Sequence, residues 1–262
     1  MSDQLYHLYP SDLTNRQWQN IKEHIPAAKS GGRPRILDMR LLLNAIFYVL
    51  VGGIQWRMLP REYPKWQSVY HYFALWRKDG TWQRIHDTLR AKVRRQAGKH
   101  KHPTAGCLDS QSVKCSHIKG KRGFDNGKKV KGRKRHILVD TLGLLLAVLV
   151  TGADVSDPAG ARLLFLWLTG SCKKLRRIWV DETYRGTLLD WVSARFQFVL
   201  EPVLRSEEQK GFVLLPRRWG VERTFGWLNL CRRLSKEYEE LPNTSEAFIH
   251  LAMIRIMARR CK

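Results

Sequence analysis

In the first hundred residues apolar positions recur every three or four places, the spacing of one face of an α-helix. Thr14 and Gln17 are set as a capping box ahead of a helix carrying Trp18 and Ile21, which Pro26 closes. Asp38 stands where it can cap a second helix, whose Leu41, Leu42, Ala45, Ile46, Val49 and Leu50 run up to the pair Gly52-Gly53. Ser68 and Thr81 are cap candidates for two more helices. These carry Tyr70, Phe73 and Trp76, then Trp82, Ile85 and Leu89, with Gly80 between them. At this spacing Trp56, Trp66, Trp76 and Trp82 read mostly as core. From Arg90 to Pro103 the period is lost and the chain turns basic, which places a domain boundary there: residues 1–98 and residues 99–262.

Beyond the boundary the pattern changes. Thr104 to Val113 reads as a strand, and His136 to Asp140 and Leu144 to Thr151 as two more joined by the turn DTLG, a three-stranded antiparallel unit. Asp157 with Pro158 starts a helix that runs to about Leu168. Arg177 to Val180 is a short strand ending at Asp181, followed by a helix near Thr187 to Ala194, a strand from Phe198 to Val203 and a long helix from about Trp219. The order β-β-β-α-β-α-β-α is that of a ribonuclease-H-like α/β fold, a mixed central sheet flanked by helices, here preceded by an all-α N-terminal domain.

Composition adds a partner to this picture. The 262 residues include 47 Lys+Arg against 23 Asp+Glu, a formal net charge of +24, while 44% are hydrophobic and ten are Trp. A folded chain with so large a cationic excess points to a polyanion, although charge alone carries neither sequence information nor chemistry. The five cysteines are scattered without metal-ligand spacing and read as reduced thiols, Cys107 as a core residue. MSDQLYHLYPSDL lacks the features of a signal peptide, and the longest apolar run, Leu142 to Thr151, is short for a membrane span. A cytoplasmic protein without a membrane partner is expected.

Three acids occupy positions that can converge. Asp109 lies in or at the end of the first strand of the second domain, Asp181 follows the fourth, and Glu222 opens the last helix. Carboxylate oxygens are the ligands Mg²⁺ prefers, and two such ions suit phosphoryl transfer. Each acid also has a plainer reading: a turn for Asp109, a helix cap for Asp181, and for Glu222 a surface pair with Arg218 one turn away. Asp140 reads as a hairpin-turn residue, Asp157 as a cap, and Glu182 as the start of a helix.

The strings DSQSVK, KKVKGRKRHILVDTLGLLLAVLVTGADVSD, DETYRG, KGFVLLPRRWGVERTFGWLNLCRRLSKEYE and TSEAFIHLAMIR resemble insertion-sequence transposases of the IS five family. LTNRQWQNIKEHIP, SGGRPR, GGIQWRMLP and KDGTWQRIHDTLR resemble them too, so the similarity covers nearly the whole chain. It implies a DNA transposase that binds terminal inverted repeats through its N-terminal domain, cuts to a 3′-hydroxyl and joins that end to target DNA. It also implies dependence on two Mg²⁺ ions, with Mn²⁺ as a substitute. The resemblance puts the catalytic, metal-binding acids at Asp109 in LDSQS, Asp181 in VDETY and Glu222 in VERTF. In the signature around the glutamate Arg218 fills the arginine slot, whereas Leu215 and Asn229 stand at the tyrosine and lysine slots; Leu230 replaces a basic or polar residue. Synapsis of two ends implies a homodimer on DNA. A nuclease of the same fold and a non-catalytic DNA-binding relic are the competing readings.

Helical geometry would place Arg218, Glu222, Gly226, Asn229 and Arg233 on one face, with room at Gly226 for a phosphate backbone that the DNA-binding candidates Arg218 and Arg233 would hold, unless that glycine serves packing. The run from Lys119 to Arg135 is dense in cations. Lys128, Lys129, Lys131, Arg133, Lys134 and Arg135 are expected to contact phosphate beside Asp109. SGGRPR reads as a linker, or as an arm inserting Arg33 and Arg35 into a minor groove. Arg57, Arg77, Lys78 and Arg84 are further N-terminal candidates for DNA contact.

Overall fold

Four helices form from the patterned N-terminal segments: α1 (Asn15–Lys22), α2 (Met39–Gly52), α3 (Trp66–Lys78) and α4 (Thr81–Gln96). The computed structural model describes residues 6, 8–28, 31, 35–116, 119–168, 172–203 and 218–261. The Thr14–Gln17 capping box is present, and Asp38 Oδ1 accepts the N–H groups of Arg40 and Leu41 at 2.7 and 3.1 Å. Gly53 ends α2 with φ of 71°, a left-handed conformation that costs a glycine little. Two expected caps move. Helix α3 starts at Trp66, ahead of Ser68, and Thr81 is the first residue of α4, where its N–H and hydroxyl both reach Asp79 Oδ1.

Among the described residues six strands form one sheet: β1 (Ala105–Lys114), β2 (Gly123–Asp125), β3 (Val130–Asp140), β4 (Leu145–Gly152), β5 (Arg177–Val180) and β6 (Val199–Pro202). The order is β2-β3-β1-β5-β6, with β4 also paired to β3. β1 is antiparallel to β3 and β3 to β4, while β5 runs parallel to β1 and β6 to β5. Leaving the short β2 aside, the path β4-β3-β1-β5-β6 is the ribonuclease-H-like arrangement that the element order predicts. β3 begins six residues earlier than expected, because GRKRH looks like a loop in sequence yet is paired on both sides.

Helices α5 (Asp157–Leu166) and α6 (Thr187–Arg195) cover one face of the sheet, over Leu108, Leu138 and Leu146. Ser156 rather than Asp157 caps α5. The opposite face, with Cys107, Ile137 and Val139, packs against α7 (Trp219–Asn229), α8 (Pro242–Arg260) and the N-terminal helices in one cluster. The long final helix expected from Trp219 is thus two helices, separated by a 3-10 turn at Arg232–Leu234. Phe248 of α8 stacks on Phe73 of α3 at 4.8 Å, and burying a ring of this size contributes about 1.5–3 kcal/mol. The change of chain character near residue 98 follows the end of α4, but the packing is continuous across it.

Candidate active site

The parallel register of β1 with β5 aligns Ala105, Gly106 and Cys107 with Arg177, Ile178 and Trp179. Two residues beyond that register lie Asp109, on β1 and on the sheet face shared by Cys107 because side chains alternate, and Asp181, the residue just past the end of β5. Arg218, at the N-terminal cap of α7, lies between them. Its Nη2 donates to Asp109 Oδ2 at 3.0 Å and stands 3.8 Å from Asp181 Oδ2. Asp181 Oδ1 also accepts the Thr183 N–H at 2.9 Å, so Asp181 does cap the 3-10 turn Glu182–Tyr184. Capping and facing the cation use different oxygens and are compatible.

Burial pushes the Asp109 carboxyl up to about 6, even though the Arg218 guanidinium favours its charged form. The Asp181 charge adds to the rise, and Lys128 opposes it. Burial likewise pushes the Cys107 thiol up to about 12, with the Asp109 charge adding to the rise and Arg218 opposing it, which matches a core thiol. Glu222 sits half-buried on the first turn of α7. Arg218 pairs with Asp109 and Asp181 rather than with Glu222, contrary to the surface pair considered from sequence. Among the described residues no three His, Cys, Asp or Glu side chains are close enough together to hold a metal ion. The chemistry of the donor set nevertheless fits a divalent cation: two hard carboxylates already converge on one positive group.

The basic run divides. Lys128, Lys129 and Lys131 are exposed on the turn and strand after β2, and Lys128 Nζ reaches the Ser110 carbonyl at 3.3 Å, beside Asp109. Arg133, Lys134 and Arg135 are buried, which corrects the expectation that they contact phosphate. Arg133 donates to the carbonyls of Lys121, Glu239 and Glu240 at 2.5–2.9 Å; Arg135 donates to the carbonyl of Leu234 and faces Glu237. Lys134 sits between Asp125 (3.2 Å) and Asp157 (2.9 Å). A strand paired along both edges gives these side chains only the two sheet faces, and both are covered.

Arg233 is corrected in the same way. Helix α7 ends at Asn229, so the proposed common face stops there, and Arg233 is buried with Glu239 at 2.6 Å and the Ile54 carbonyl at 2.9 Å. Gly226 is exposed and a Cβ there would meet nothing within 4 Å, so packing does not require it. Arg35 donates to the Pro26 carbonyl at 2.8 Å, whereas Arg33 and Leu215 lie outside the described residues.

The sequence reading missed a polar layer under β1. Ser110 donates to Asp157 Oδ1 at 2.8 Å, Ser112 donates to Asp125, and Asp125 accepts the Lys128 N–H at 3.0 Å. Burial works against ionisation of Asp125, yet Ser112, the Lys128 N–H and Lys134 hold its carboxyl well below the usual range. Alternation along β1 was the available signal, since Ser110 and Ser112 must face away from Asp109.

This topology and pair of acids define a class that the comparisons identify. The family described as "Transposase DDE domain" matches residues 100–257, more than half of the chain, and the chain belongs to that family. Residues 13–86 match a second family, described as "Putative transposase of IS4/5 family". Over 135 residues the chain is 33% identical to a Burkholderia cepacia protein named "Putative transposase for insertion sequence element IS402". That alignment covers 46% of this chain and 60% of the relative's length. Family membership implies dependence on a divalent metal. Among the described residues no helix is long and apolar enough to cross a membrane.

Proposed function

We propose that this protein is a DNA transposase that cuts at the terminal inverted repeats of an insertion sequence and joins the freed 3′-hydroxyl to target DNA. One observation carries the reading: in a chain of the DDE family, Asp109 on β1 and Asp181 at the end of the neighbouring parallel strand β5 turn their carboxylates to one cationic position. Glu222, one turn into α7, is the third acid of the set, and the three are the catalytic residues. Two Mg²⁺ ions, or Mn²⁺, bound by these carboxylates would supply charge stabilisation at the attacking and leaving oxygens. The exposed Lys128, Lys129 and Lys131 hold the DNA backbone next to Asp109, fixing its register without reading bases. The helical N-terminal region binds the repeats, two copies assemble on the paired ends, and the protein works in the cytoplasm.

Asp109→Asn tests this reading. A lost metal ligand removes several kcal/mol of transition-state stabilisation. At about 1.4 kcal/mol per decade, cleavage falls roughly a thousandfold. Binding to end DNA is nearly unchanged against a net charge of +24. Cleavage at the parental rate would refute the site. Wild-type protein that yields cut ends but no joined product would instead make it a nuclease.

A further inference from the structure

The group between Asp109 and Asp181 is Arg218, and three observations make it more than a structural ion pair. Its guanidinium is incompletely satisfied: Nη2 donates to Asp109 and stands 3.8 Å from Asp181, while among the described residues the buried Nε has no hydrogen-bond partner. The helix that it caps is fixed independently, because Thr224 Oγ1 lies 2.7 Å from the Gly143 carbonyl and can donate to it, and Val221 and Leu228 are fully buried. The side chain can therefore leave without the helix moving. Finally, the exposed lysine turn lies beside β1, with Lys128 Nζ 3.3 Å from the Ser110 carbonyl and its charge opposing the rise at Asp109, so cations able to hold a backbone phosphate stand near the strand that carries Asp109.

We propose that Arg218 is an exchangeable counterion. It occupies the cation position between Asp109 and Asp181 in the free protein and transfers to a backbone phosphate when DNA binds, which frees the carboxylates for the metal. A guanidinium binds carboxylate and phosphate by the same forked donors, so the exchange conserves its hydrogen bonding. The consequence is positive coupling: DNA raises metal affinity, and by reciprocity the metal raises DNA affinity by the same factor. Such coupling keeps the acids closed to metal away from DNA. The inference rests on the proposed metal site.

The test is Mn²⁺ binding followed by the electron paramagnetic resonance of free ion, with and without a short duplex, subtracting a protein-free duplex titration. In wild type the duplex should tighten Mn²⁺ binding by about tenfold or more, within the usual range of site-to-site coupling. Arg218→Gln should bind Mn²⁺ about tenfold more tightly than wild type without DNA and gain little from the duplex. Arg218→Lys, which keeps the charge without the fork, should fall between. Wild-type Mn²⁺ affinity indifferent to DNA overturns the exchange whether or not the variants fold, and so does an Arg218→Gln protein that binds Mn²⁺ no better than wild type. The double variant Asp109→Asn/Asp181→Asn separates the two claims: retained Mn²⁺ binding there refutes the metal site itself and the exchange with it, whereas lost binding together with indifference to DNA refutes the exchange alone.

Discussion

Residues 128–131 and residues 133–135 are equally basic in sequence and opposite in circumstance. The lysines at 128, 129 and 131 stand in solvent, while Arg133, Lys134 and Arg135 lie inside, paired with carbonyls and with Asp125, Asp157 and Glu237. The first set is available to a polyanion. The second builds the strand that the first set hangs from. Local charge density therefore overstates the surface available to DNA, and pairing along both edges of β3 decides which cations belong to it.

The largest effect expected from this contrast is on stability. Arg133→Ala leaves three carbonyls without their buried donors and removes one of the two arginines beside Glu237, which keeps Arg135 and Ser245, so it should destabilise the fold by about 3–5 kcal/mol in urea unfolding. An Arg133→Ala protein that unfolds like wild type but binds DNA weakly would break the contrast. A smaller effect belongs to Glu246, an interior acid whose one described partner is the Val150 N–H at 2.9 Å. Burial pushes its carboxyl up to about 7 from an ordinary value of 4.5. The folded state then keeps a proton that the unfolded chain releases, so this contribution is full below about 4.5 and is lost as pH rises through about 7. Glu246→Gln should exceed wild type by about 1–3 kcal/mol at pH 8 and match it near pH 4.5. Equal stability of the two at both pH values would show that the carboxyl is solvated. The smallest effect on folding is at the lysines: Lys128→Gln/Lys129→Gln/Lys131→Gln should melt with wild type. It should also lower the logarithmic salt slope of DNA binding by about 0.9 per lost contact, and an unchanged slope would remove this turn from the interface.

Much of the fold was legible because burial leaves a period. The capping box at Thr14, the Asp38 cap and the antiparallel unit of β1, β3 and β4 all left local signals in the chain. Helix α8 was not legible: residues all around it are buried, from Ser245 and Phe248 to Leu251 and Met257, so no polar face marks it out. At the site, two strand ends and a helix start made Asp109, Asp181 and Glu222 candidates, and the resemblance to the family's motifs selected them over neighbouring carboxylates. The position of Arg218 between the first two depends on long-range packing of α7, and the single-face reading through Arg233 failed because the helix stops at Asn229.

Helix α8 has a consequence in time. It fills the space among α1 to α4, and the carbonyl of Cys261 just beyond it accepts two hydrogen bonds from Arg16 at 2.9 and 3.1 Å. On the ribosome, at about 5–20 residues per second, the N-terminal helices wait roughly seven to thirty seconds between the completion of α4 and the arrival of α8. During that interval Phe73, which Phe248 later covers, lacks its stacking partner, and an interrupted nascent chain carries an unfinished N-terminal core.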